Sequence, residues 1–165
     1  PWPGVRDHGA RRCGSSTMAT FVEGTQAVQE SVSAEELEEA APSGMSLLHG
    51  NGATVDGVRF FGLGYAVPMT PFGDWSCDLS EETATEMLDR CEAADVLITH
   101  SPPRGVGDRT SAGAHVGSTA IKAAITRLQP KLAVSGHVHD SWGVIGKIGE
   151  THVQNLGPVP NWFDI

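Results

Sequence analysis

Lysine is nearly missing from this chain: Lys122, Lys131 and Lys147 are the only ones. Eleven Lys and Arg stand against 20 Asp and Glu, for a net charge of −9 at neutral pH. Affinity for a nucleic-acid backbone comes from clustered cations, so nucleic acid is excluded as the expected partner. A small phosphate ester is not excluded, because bound metal cations dominate the local field of such a site. Long apolar runs are missing too. No stretch approaches the roughly 18 apolar residues of a membrane span, and the first residues hold no apolar core of a secretory leader. Cysteine is sparse and odd in number. Cys13, Cys77 and Cys91 have no zinc-ribbon spacing and read as free thiols of a reducing cytoplasm, with Cys91 on a buried helix face. Two catalytic signatures are also lacking. There is no Gly-x-Ser-x-Gly elbow, and Ser101 before Pro102-Pro103 is not placed as a nucleophile. Gly62-Leu63-Gly64 has no third glycine and is followed by Pro68, so it reads as a tight exit from a strand rather than a dinucleotide loop.

What is present suits one loop-rich α/β domain: 165 residues, 39% apolar, with 20 glycines. Residues 1–17 are irregular, and the domain is assigned to 18–165. Ser33 and Glu36 have capping-box spacing and open a short acidic helix over 34–41, stopped by Pro42. Leu47-Leu48 and residues 53–55 read as short strands. Asp56-Gly57 is a hairpin turn, and Val58–Leu63 returns from it. Residues 68–78 form a loop whose Phe72 and Trp75 could line a substrate rim or cover the core, covering being the favoured reading. Ser80 caps a helix reaching Glu92, with Ala84, Met87, Leu88 and Cys91 as its buried stripe. Residues 95–99 form a buried strand. Ser118 caps a second helix with the stripe Ile121, Ala124, Ile125 and Leu128, ended by Pro130. Leu132–Ser135 is the next strand, and a hairpin follows over 142–148 and Thr151–Asn155. This alternation argues for a mixed α/β sheet.

Two strand patterns end in histidine. Val96-Leu97-Ile98-Thr99-His100 is followed by Ser101-Pro102-Pro103, and Leu132-Ala133-Val134 leads into Gly136-His137-Val138-His139. Neutral imidazole suits zinc and iron, and manganese accepts it beside carboxylates. Ligands of open α/β sheets gather at the carboxyl ends of the strands, so two histidine-ending strands suggest one shared site. Asp140 could orient a ligand or simply form a turn. Between the two motifs runs a long glycine-rich loop, residues 104–118. Its Asp108, Arg109 and His115 could contact substrate, with Arg109 pairing to phosphate oxygens. The bland alternative is a loop pinned by an Asp108-Arg109 turn. The amides at Gly117-Ser118 could favour an anion. His8, His49 and His152 read as surface or core residues.

From Leu47 to Pro158 the chain resembles the calcineurin-like metallophosphoesterases. The resemblance is carried by Leu47-Leu48-His49-Gly50, by the stretch from Asp56 to Gly64, by Thr99-His100-Ser101-Pro102-Pro103 and by His115-Val116-Gly117-Ser118. Gly136-His137-Val138-His139 and Asn155-Leu156-Gly157-Pro158 complete it. It implies an α/β/β/α sandwich, of which this chain would supply one mixed sheet and part of the metal edge. It implies two divalent ions, Mn, Fe or Zn, with His100 and His137 on one and His139 on the other. The implied activity is hydrolysis of a phosphomonoester or phosphodiester. The early family motifs, Asp-x-His, Gly-Asp-x-x-Asp and Gly-Asn-His, have no match. The chain is therefore expected to be incomplete at its N-terminus. A catalytically inactive interaction module is the alternative, and an open sheet face could drive self-association.

Overall fold

The protein is described by a computed structural model over residues 46–73 and 76–165. The irregular segment 1–17, the acidic helix over 34–41, Cys13 and Trp75 lie outside the described residues, as does the first part of the assigned domain. The described chain forms six strands: β1 (Asn51–Val55), β2 (Val58–Leu63), β3 (Val96–Thr99), β4 (Leu132–Ser135), β5 (Ile145–Ile148) and β6 (Thr151–Asn155). Two helices, α1 (Glu81–Leu88) and α2 (Thr119–Leu128), connect them.

The strands lie in one mixed sheet in the order β1-β2-β3-β4-β6-β5. β2, β3, β4 and β6 run parallel, and β1 and β5 pair antiparallel at the two edges. Helical crossovers between parallel strands cover one face. That face holds Phe61, Leu63, Leu97, Ala133 and Val153, packed on Ala84, Leu88, Ile121 and Ile125 from the helices. The opposite face carries a smaller cluster, Val96, Leu132 and Val134, with Val58, Phe60, Ile98 and Leu156 partly buried around it. Alternate strand residues point to opposite faces, which is why Val96 and Leu97 belong to different clusters. Arg59 ties the sheet at its other end, its guanidinium meeting the two oxygens of Asp95 at 2.9 and 3.0 Å. This contact holds the Asp95 carboxyl far below its ordinary value.

The caps predicted at Ser80 and Ser118 are present, and the one at Ser33 lies outside the described residues. Ser80 Oγ accepts from the Thr83 N–H and Ser118 Oγ from the Ile121 N–H, each at 3.1 Å. At the end of α2, Gln129 turns left-handed (φ 44°), and its side-chain amide donates to the carbonyls of Ile125 and Thr126. Three expectations differ. Leu47-Leu48 is not a strand, because Gly50 (φ 72°) and the His49 N–H bond to Asn51 Oδ1 turn the chain before β1 begins. Leu48 still packs here: a Cβ on Gly62 would lie 2.9 Å from the Leu48 carbonyl oxygen. α1 stops at Leu88 instead of Glu92 because the Arg127 guanidinium takes the carbonyls of Leu88 and Cys91, both at 2.9 Å. Cys91 is buried as expected but lies three residues beyond the end of α1 rather than on its face. Phe72 does not cover the core but lies 62% exposed, at a turn braced by Asp78.

Candidate metal edge at the strand termini

The parallel strands bring their carboxyl ends to one side of the sheet. His100 follows β3, and its N–H donates to Leu63 O at the end of β2 (3.0 Å). The Gly136 N–H in turn donates to His100 O (3.0 Å), which sets the turn after β4 against the end of β3. His137 takes φ 65°, and the Val138 N–H closes back onto Gly136 O at 2.8 Å. This tight reversal aims the His137 ring across the strand gap. His100 Nε2 and His137 Nδ1 lie 2.9 Å apart, with ring centroids 4.7 Å apart and planes tilted 56°. Both residues are half-buried. Val138, between the two histidines of the motif, is buried. His139 opens a three-residue 3-10 turn, His139–Ser141, and its exposed ring stacks on Trp142 with centroids 4.3 Å apart.

Two imidazole nitrogens facing each other at this distance share one proton: one ring donates, the other accepts. A cation in place of that proton would find two neutral nitrogen ligands, so the pair fits one edge of a transition-metal site. Among the described residues no group of three or more His, Cys, Asp or Glu comes together to hold an ion. The donors present therefore fit an edge and do not by themselves complete a two-metal centre.

The loop over 104–118 is built around a buried carboxylate. Asp108 is 1% exposed. Its Oδ2 accepts the N–H groups of Gly105 and Gly117 at 3.0 and 3.1 Å, and its Oδ1 meets His115 Nδ1 at 2.7 Å. Burial pushes this carboxyl up, but the Gly105 N–H, the His115 ring and the Gly117 N–H together outweigh burial and hold it below its ordinary value. Asp108 thus pins the loop through His115 and two backbone amides. Arg109 is exposed, and its backbone is fixed from both sides by Ser141: the Arg109 N–H donates to Ser141 Oγ (3.0 Å), and that hydroxyl donates to Arg109 O (2.7 Å). Asp140 accepts the Ser111 N–H at 2.7 Å, so it anchors the loop to the histidine turn.

The anion expected at the start of α2 is a side chain of this same protein. Glu81 accepts from the N–H groups of Thr119 and Ala120 at 2.9 and 2.7 Å and from Ser118 Oγ at 2.8 Å. The Gly117 N–H is taken by Asp108, so no amide of that turn is left for a phosphate.

No family model matches the chain. A UPF0046 protein of Caenorhabditis elegans is 32% identical over 114 residues, which is 66% of this chain and 37% of that protein. The human Metallophosphoesterase domain-containing protein 1 is 34% identical over 107 residues, 61% of this chain and 31% of that protein. These relatives support a calcineurin-like metallophosphoesterase family for the C-terminal portion of this chain. A solved structure of metallophosphoesterase-type fold superposes on 66% of this metallophosphoesterase-like chain and 44% of its own length, with a TM-score of 0.53 and 27% identity. The chain spans well under half the length of the curated relatives it matches.

Sequence reading placed His100 and His137 at one site, and the structure brings them into contact. It missed the roles of Glu81, Ser141 and Asn155, whose contacts are made to residues 32 or more positions away or, for Asn155, also across the β4–β6 junction. Only Asn155 carried a signal, as part of a family motif. Asp78 was also missed. Burial raises its carboxyl, but hydrogen bonds from Ser76 and Thr70 outweigh burial, and the charge of His137 lowers it further.

Proposed function

We propose that this chain carries the strand-end metal edge of a metal-dependent phosphoesterase, acting on a phosphomonoester or phosphodiester. The observation that carries this reading is the contact of His100 with His137 at the carboxyl ends of adjacent parallel strands. His139 is assigned to a second divalent ion, and Mn, Fe or Zn suits imidazole beside carboxylates. Two such ions hold a phosphate between them and supply a metal-activated hydroxide. The loop that carries exposed Arg109 and His115 forms the substrate side, with Asp108 buried beneath it as its anchor, and the partner is a small phosphate ester rather than nucleic acid or membrane. Among the described residues no helix is long and apolar enough to cross a membrane; the cytoplasmic location is read from the sparse, unpaired cysteines.

The test is hydrolysis of p-nitrophenyl phosphate and bis-p-nitrophenyl phosphate by the purified protein with added Mn²⁺. Stimulation by the ion is expected, with a fall of about 10–100-fold or more in His137→Ala, since even the partners that support a metal ligand cost that much when removed. Unchanged hydrolysis in that variant overturns the assignment. A protein that binds Mn²⁺ through these histidines yet turns over neither ester would instead fit the alternative reading, a catalytically inactive interaction module.

A further inference from the structure

Asn155 ends β6 beside Ser135, the last residue of β4, and its side chain is fully buried. Its Nδ2 lies 2.8 Å from Gly107 O, 3.1 Å from Val138 O and 3.2 Å from Gly136 O. Gly136 and Val138 are the two neighbours of His137, and Gly107 directly precedes Asp108. All three groups are acceptors, so only the NH₂ end of an amide can face them; a carboxylate oxygen would meet repulsion alone. The turn they flank is costly. A residue with a Cβ at φ 65°, closed by the Val138 N–H bond to Gly136 O, adopts the rare and strained form of the three-residue turn. Such a conformation persists only where its surroundings over-determine it. Gly107 is fitted to the same point, since a Cβ there would lie 2.8 Å from Asn155 Cβ.

We propose that Asn155 is the positioning residue of the metal edge. By clasping the carbonyls on both sides of His137 it holds the strained turn, and with it the His137 ring against His100. Its third contact fixes the loop of Asp108 and His115 to the same turn. This deepens the phosphoesterase reading and rests on it for its functional meaning, but its test needs neither metal nor turnover.

The experiment is a long-range proton–nitrogen NMR spectrum of the imidazoles in the metal-free ¹⁵N-labelled protein. Mildly alkaline buffer keeps the rings neutral. The wild type is expected to show one protonated and one acceptor nitrogen in the His100–His137 hydrogen bond, identified by its loss in His100→Ala. Asn155→Asp and Asn155→Ala are expected to abolish that signature. The His49 ring, whose Nδ1 accepts the Gly64 N–H at 3.2 Å, should be unchanged and so reports an intact fold. A folded variant that keeps the signature, or a wild type without it, overturns the proposal. If neither variant folds, the wild-type side-chain amide decides. Asn155 NH₂ protons protected from exchange, relative to those of exposed Asn51, support the clasp, and equal exchange rates overturn it. Loss of the clasp with Mn²⁺-dependent hydrolysis intact would leave the phosphoesterase reading standing. The reverse result would remove that reading alone.

Discussion

Replacing Asp108 with alanine lowers stability by about 3 kcal/mol. The carboxylate is 1% exposed and accepts two backbone N–H groups and one ring nitrogen. Alanine leaves the buried Gly117 N–H without its acceptor and releases the Gly105 turn, and each orphaned donor costs about 1–3 kcal/mol. Gly117 has no freedom to adjust, since a Cβ there would lie 2.7 Å from both Asp108 Cβ and Pro103 O. Thermal denaturation should show a midpoint lowered by roughly 10 °C; a change under one or two degrees would mean that the carboxylate does not hold the loop. The pH dependence has a definite sign. A carboxyl held below its ordinary value stabilises the fold above the unfolded value, about 3.9 for aspartate, and that stability is lost as pH falls through the folded value. The wild type should therefore lose more stability below about pH 4 than Asp108→Asn does, as read by urea unfolding across that range.

Glu81→Gln lowers stability by about 1–2 kcal/mol, through α2 rather than through its own helix. Glu81 sits in the first turn of α1, and its two oxygens receive three donors at the start of α2. The negative charge also meets the positive end of the α2 dipole. Glutamine keeps one oxygen and turns an NH₂ group toward donors, so at least one of them is orphaned. Hydrogen exchange should quicken at the first amides of α2 and leave the β1–β2 hairpin unchanged. Uniform quickening, or none, would contradict the cross-helix cap. The contact also explains why no phosphate-binding role falls to this helix start.

The sequence made some of this legible and hid the rest for identifiable reasons. The bounds of β2, β4 and β6 follow from β-branched runs and their turn residues, and the serine caps of both helices follow from local spacing. His100 and His137 were readable because each ends an apolar strand, and parallel pairing of β3 with β4 places such ends together. The length of α1 was not readable, since Arg127, 39 positions beyond Leu88, decides where it ends. The pairing of Asp108 with His115 depends on the path of the loop between them. The clasp by Asn155 depends on β6 lying directly beside β4, with β5 displaced to the edge. That order is a property of the sheet, and no local pattern carries it.

The most direct test of the metal edge is a Mn²⁺ titration of the protein, followed by the EPR signal of the free ion. The wild type, His100→Ala and His137→Ala should be titrated in parallel. Saturable uptake by the wild type, lost in each variant while both remain folded, is the predicted result. Equal uptake by all three, or none by the wild type, would contradict the assignment of His100 and His137 as metal ligands.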